Sequence, residues 1–165
     1  MNLRRVVNHL ALTHWQVNRA FPPATLGAIE TAIKESEGTH VGEIRFVVEG
    51  ALDSASLLRG QSTQERALDV FSQLRLWDTE HNNGVLIYVL LADRAVEIVA
   101  DRGIHAKLGT KVWETICRSM EDAFRRSDYA QGAVTGIQAV TSNLVTHFPA
   151  HWHSLNELPD EPILL

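Results

Sequence analysis

The stretch Asp78-Thr79-Glu80-His81-Asn82-Asn83-Gly84-Val85-Leu86-Ile87-Tyr88-Val89-Leu90-Leu91-Ala92-Asp93-Arg94-Ala95-Val96-Glu97-Ile98-Val99-Ala100-Asp101 decides the fold. Asn83-Gly84 reads as a turn. The unbroken apolar run from Val85 to Leu91 is what a central strand buried on both faces requires. Ala92-Asp93 makes a tight bend, and Arg94 to Ala100 returns antiparallel with Val96, Ile98 and Ala100 on one face.

Upstream, Glu43 to Val48 alternates, with Ile44, Phe46 and Val48 opposite Glu43, Arg45 and Val47, and predicts another strand. A loop from about Gly50 to Gln61 follows. Ser62-Thr63-Gln64-Glu65 then has the capping-box pattern and opens a helix buried along Ala67, Val70, Phe71 and Leu74. A strand, a helix and a strand predict a parallel pair with a right-handed crossover.

Further out, Leu3, Val6, Val7 and Leu10 have helical spacing, so one amphipathic helix is expected from residue 2 to about 19, lying over the core. Its Arg4, Arg5 and Arg19 also allow a membrane-surface reading. Pro22-Pro23 starts a second helix lined by Leu26, Ile29 and Ile33 and stopped at Gly38. Thr110 opens the strongest helical stripe, through Trp113, Ile116, Cys117 and Met120. Ser127 or Asp128 caps a last helix that ends at His147-Phe148-Pro149, before a tail to Leu165. The expected order is α-α-β-α-β-β-α-α: an α/β chain with helices on both faces of a small mixed sheet. It divides into residues 1–22, 23–148 and 149–165.

Composition limits the functions available. With 165 residues, 45% of them hydrophobic, the chain can bury one substantial core. Fifteen Lys and Arg against twenty Asp and Glu give a net charge of −5 with no basic run, which argues against a nucleic-acid partner. Cys117 is the only cysteine, so no internal disulfide forms and a reducing compartment is expected. No stretch approaches the ~20 apolar residues of a transmembrane helix. Leu3 to Leu12 lacks a continuous apolar core for a signal peptide. The expected location is the cytoplasm, with a peripheral position at the inner membrane as the variant reading.

Topology gathers the candidate site. Two parallel strands start at Glu43 and Asn83, and the antiparallel third finishes at Asp101, so all three lie at one end of the sheet. Helices ending near Glu37-His40 and Asp78-Asn82 feed into the same end. Glu37, His40, Glu43, Asp78, Glu80, Asn82 and Asp101 form the candidate metal-ligand set. Two helix C-termini add partial negative charge there, which a cation or a nearby arginine must offset. Oxygen-rich ligands suit Ca²⁺ or Mg²⁺; His40, His81 and His105 would admit Zn²⁺ or Mn²⁺. The competing reading makes the same groups loop caps and surface charges, neutralised by Arg45 or Arg102. Ligands of open α/β sheets usually lie at the opposite end, which holds Glu49, Gly50, Asp53 and Asp93, a smaller group that ranks second.

Other chemistry finds little support. The glycines near Gly103 and Gly109 lack the Lys-Ser/Thr continuation of a P-loop. Cys117 on an apolar stripe reads as a buried structural thiol. His147, His151 and His153 are interrupted by Pro149 and Trp152. Trp15, Trp77 and Trp113 read as packing residues.

The run Asp78 to Tyr88, followed by Val96-Glu97-Ile98-Val99-Ala100-Asp101-Arg102-Gly103-Ile104, resembles the TPM domain family, named for thylakoid-lumen, photosystem-repair and membrane-receptor-associated proteins. The Trp113 helix and Asp128-Tyr129-Ala130-Gln131-Gly132 fit as well, and the resemblance spans roughly residues 25–148. Glu37-xx-His40-xx-Glu43 and Asn156-Glu157-Leu158-Pro159-Asp160 are similar to a bacterial branch of the family. The resemblance implies a three-layer α/β/α sandwich and divalent-cation binding. It also implies a role as an interaction module in membrane-protein assembly or repair, with membrane-protein or peripheral membrane partners, or else metal-dependent acid phosphatase activity. Asp101, Glu43 and Arg102 are the catalytic candidates for that phosphatase. Two features depart from the family pattern: Asn18-Arg19-Ala20-Phe21 stands where many members carry paired aspartates, and no stretch of these 165 residues reads as the transmembrane segment many members have.

Overall fold

The computed structural model describes residues 3–79, 82–150 and 158–165. Four strands form one mixed sheet: β1 (Glu43–Glu49), β2 (Gly84–Leu90), β3 (Ala95–Ala100) and β4 (Ile163–Leu164). Their order is β3-β2-β1-β4. β1 and β2 are parallel, with Glu43 opposite Gly84 and Glu49 opposite Leu90. β3 returns antiparallel, with Val85 opposite Ala100. β4 pairs in parallel with Val47 and Val48 on the outer side of β1.

Eight helices complete the described chain: α1 (Leu3–Ala11), α2 (His14–Ala20), α3 (Pro23–Glu37), α4 (Ser54–Leu58), α5 (Thr63–Gln73), α6 (Arg102–Leu108), α7 (Thr110–Arg125) and α8 (Tyr129–His147). Alternation along β1 and β2 sends side chains into two cores. Ile44, Phe46, Val48, Val85, Ile87 and Val89 pack with Ile29 and Ile33 of α3, Met120 of α7, and Ile137 and Leu144 of α8. Val47, Leu86, Tyr88 and Leu90 pack with Leu57 of α4 and Ala67, Val70 and Phe71 of α5. Every residue of β1 and β2 is buried. The expected α/β/α sandwich with a small mixed sheet is the fold observed.

Several local expectations change. The expected single helix over residues 2–19 is two helices, because Thr13 starts the second: its N–H donates to Gln16 Oε1 at 2.8 Å, half of a Thr-x-x-Gln capping box. The expected loop after β1 contains α4, where Asp53 accepts from Ala55 and Ser56 N–H at 2.9 and 3.1 Å. Asp101 likewise caps α6, an additional helix. The tail reaches back to form β4, and the charges of Asp160 and Glu161 partly offset the burial that lowers the Arg45 pKa.

The largest correction concerns α1. Leu3, Val7 and Leu10 do not cover the core; they are 75%, 55% and 71% exposed. The helix is docked through Arg5, Val6 and His9, with His9 buried and Val6 packed against the second core. Among the tryptophans, Trp113 is buried, whereas Trp15 and Trp77 are exposed. Cys117 is a buried thiol whose pKa burial pushes up to about 12. Among the described residues, no helix is long and apolar enough to cross a membrane.

Candidate functional site

At the asparagine-glycine end, one row of backbone joins three strands. Glu43 N–H donates to the Asn83 carbonyl at 3.1 Å, and Asp101 N–H donates to the Gly84 carbonyl at 2.8 Å. Glu43 and Asp101 therefore flank the start of β2 from either side, their Cα atoms about 10 Å apart at two strand spacings. Both are buried. Gly84 between them has no room for a side chain, since a Cβ there would collide with the Leu76 carbonyl oxygen from the segment after α5.

Asp101 uses one oxygen to hold α6: Oδ1 accepts from Arg102 N–H at 2.7 Å. Its Oδ2 is buried with no hydrogen-bond partner among the described residues, and so is Asn83 Oδ1. Asn83 is anchored by its other groups, Nδ2 donating to the Val41 carbonyl and the backbone N–H to Thr79 Oγ1 at 3.1 Å. Asn82 takes a left-handed conformation (φ 51°), and its Oδ1 receives the Arg102 guanidinium at 3.3–3.4 Å.

The candidate ligands among the described residues do not form one cage. Asp78 is exposed, Glu37 is half-buried at the end of α3, and Glu80, with His81, lies outside the described residues. His40 is fully buried and bridges to Pro149 on the α8 side. Its Nδ1 accepts the Gly42 N–H at 3.1 Å, so a neutral ring carries its proton on Nε2. That tautomer presents no lone pair at Nε2 for a metal. Burial lowers the His40 pKa and favours the neutral ring. Among the described residues no three His, Cys, Asp or Glu side chains gather to hold a metal ion. The orphaned oxygens of Asp101 and Asn83 are hard donors of the kind a divalent cation takes.

The opposite end of the sheet holds far more organised polar chemistry than its sequence suggested. Asp93, in the turn between β2 and β3, receives Arg5 Nε and Nη2, His9 and Thr63 Oγ1. His9 Nδ1 accepts from Leu52 N–H at 3.0 Å, which leaves Nε2–H to donate to Asp93 Oδ1, also at 3.0 Å. Burial pushes the Asp93 pKa up, but hydrogen bonds from Arg5 and His9 outweigh it and the net shift is down. Beside this pair, Arg66 grips Glu49 through Nε and Nη2 at 2.8 and 3.0 Å, and Tyr88 OH donates to Glu49 Oε2 at 2.6 Å. Burial and that hydrogen bond to Glu49 raise the Tyr88 pKa. These carboxylates are saturated with donors, so the end is a clamp that fixes α1 and α5 to the sheet.

Arg5, His9, Arg66 and Tyr88 were not candidates from the sequence. The available signal was Arg5 and His9 at i, i+4, a polar pair on one helix face. Their partner lies 88 and 84 residues away, beyond the reach of periodicity.

Residues 18–143 match the family model of the TPM domain. The chain is similar to the NMR structure of BA42 protein from the psychrophilic bacterium Bizionia argentinensis sp. nov.: 30% identity over 86% of this chain and 92% of that one, with a TM-score of 0.75. The solution structure of the N-terminal domain of a protein from P. gingivalis is matched at 20% identity over 74% of this chain and 94% of that one, with a TM-score of 0.48. No curated protein matches. With the family model spanning most of its length and one solved relative at this identity, the chain belongs to the TPM domain family.

Proposed function

We propose that this TPM domain is a non-catalytic interaction module that docks on an anionic membrane surface through α1. The observation carrying the reading is the facing of the helix: the clamp on Arg5 and His9 holds their side inward together with Val6, so Leu3, Val7 and Leu10 face solvent. Each such side chain gains about 1–2 kcal/mol on burial, and an amphipathic helix presented this way suits the lipid interface. Charge agrees locally. Residues 1–29 contain three arginines, of which Arg5 is paired with Asp93, and no Asp or Glu, although the whole chain carries −5. Anionic headgroups attract such a segment. Docking of this kind would set the domain beside membrane-embedded partners, the assembly or repair role that the family resemblance implies.

Vesicle co-sedimentation tests the reading. The wild-type chain is expected to pellet with phosphatidylglycerol-containing vesicles and less with pure phosphatidylcholine. Leu3→Glu/Val7→Glu should reduce binding at least tenfold. A wild-type chain that ignores both vesicle types sinks the proposal.

A second reading, a divalent cation at the asparagine-glycine end, is favoured by the buried oxygens of Asp101 and Asn83 that lack hydrogen-bond partners among the described residues. Asp101 and Asn83 would hold it, and it would supply the positive charge those oxygens lack. Thermal shifts with Ca²⁺, Mg²⁺, Mn²⁺ and Zn²⁺ test it, because an ion bound only by the native state raises the midpoint; Asp101→Asn should abolish the rise. Metal-dependent phosphatase chemistry gains no observation of its own, since Asp101 Oδ1 caps α6 and the exposed Arg102 rests on Asn82.

A further inference from the structure

Beyond the carboxyl ends of the parallel strands, a cleft of about 550 Å³ opens between α2, the end of β2 and the α7–α8 junction. Its volume falls in the ~300–1,000 Å³ range of small-molecule sites, and its position is where open α/β sheets hold ligands. Three arginines line it, Arg19, Arg94 and Arg125, and no Asp or Glu does, in a chain whose net charge is −5. The walls are aromatic. Phe124 and Tyr129 stack with ring centroids 5.3 Å apart and planes at 27°, and the Arg19 guanidinium lies over the Trp15 ring at 5.3 Å. Stacking orients that planar fork, and its N–H edge has no hydrogen-bond partner among the described residues.

The arginines differ in how occupied they are. Arg125 pairs with Glu121 at 3.6 Å and with Asp122; the Asp122 pair is solvent-exposed and easily exchanged, while Glu121 is mostly buried and holds its end of the other pair. Arg94 makes no ion pair among the described residues. It also holds φ at 53°, at a hairpin position where glycine is the comfortable choice. Ser127, another lining residue, holds φ at 65°. Two of the four non-glycine residues with positive φ among the described residues thus border one cleft, and backbone strain of this kind concentrates at binding sites.

We propose that this cleft binds a small acid, a carboxylate or phosphate oxyanion carried on a flat apolar body. The oxyanion sits among Arg19, Arg94 and Arg125, and the body lies against Phe124 and Tyr129. The site is independent of the α1 stripe and of any cation at the far end of the sheet.

NMR titration of the full chain, read at the Trp15 indole N–H, tests it with benzoate, phenyl phosphate and the neutral benzyl alcohol. Saturable shifts with either acid, at least tenfold weaker with the alcohol, are expected. Arg94→Gly should weaken acid binding at least tenfold while leaving the thermal midpoint unchanged or higher, because glycine relieves the left-handed backbone. Arg118→Gln, elsewhere on α7, should change nothing. No saturable shift with either acid, equal binding of the alcohol, full affinity in Arg94→Gly, or equal loss in Arg118→Gln would each overturn the assignment.

Discussion

Asp93 accepts two charge-assisted hydrogen bonds from one guanidinium, Arg5 Nε to Oδ1 at 2.9 Å and Nη2 to Oδ2 at 2.8 Å, across 88 residues of chain. The same carboxylate takes the buried His9 ring and the Thr63 hydroxyl. Asp93→Ala strands all three donors at once. A half-buried pair loses less than a fully buried one, so a destabilisation of about 2–3 kcal/mol is expected. Urea unfolding measures it. Hydrogen exchange should show amide protection in α1 falling more than in β2. Arg5→Ala is the milder change, because Asp93 keeps two donors.

Stability should fall in two steps on acidification. Burial holds the His40 pKa below its ordinary value, so the unfolded chain takes up that proton first. The loss begins as pH drops below about 6.5 and continues to the folded-state value. Asp93 is shifted down as well, so its stabilisation is intact above about pH 4 and disappears below it. His40→Gln should remove the upper step and keep the lower one in a series of thermal midpoints from pH 8 to 3. An unchanged upper step would count against the role assigned to His40.

Glu97 works in the opposite sense. Burial, and then the charge of Glu121, raise its pKa in the folded protein. Its ionisation therefore opposes folding: stability is lost as pH rises from about 4.3 through the folded-state value. Glu97→Gln should stabilise the protein at pH 7, with no gain at pH 3.5. Chemical denaturation at the two pH values checks the sign.

Gly84 stands against the Leu76 carbonyl, which is backbone and cannot swing aside. Gly84→Ala should destabilise by about 3 kcal/mol through overpacking. Gly136 also lacks space for a Cβ, but its neighbour is the flexible Met120 side chain. Gly136→Ala should therefore cost no more than about 1–2 kcal/mol. Equal midpoint losses for the two variants would show that the Leu76 segment yields.

What the sequence made legible was short-range. The apolar run Val85–Leu90, the alternation from Glu43 and the Ser62–Glu65 capping box each carry their signal within a few residues, and each appears where expected. The Thr13–Gln16 cap was equally local but lay inside a continuing apolar period, which hid the break. β4 has two residues and exists only by pairing with β1, so no periodic pattern announces it. The facing of α1 was misread for a third reason. A stripe of Leu and Val normally turns inward, and here the distant Asp93 draws Arg5 and His9 inward, so that Val6 alone of the stripe packs while Leu3, Val7 and Leu10 face out. The candidate site was legible as topology, with Glu43, Asn83 and Asp101 at one end. Side-chain occupancy was not, because whether Asp101 Oδ2 or His40 Nε2 is used depends on backbone donors that only the folded chain supplies.

The two-residue ladder of β4 has a consequence for handling the protein. Leu165 N–H donates to the Val48 carbonyl at 2.9 Å, and Gly50 N–H donates to the Leu165 carbonyl at 3.3 Å. Cutting the chain after Pro159 would uncover that flank of β1 and leave its backbone groups open to a strand from another molecule. Such a shortened chain should self-associate on storage while the intact one stays dispersed, which makes the last few residues a guard against aggregation.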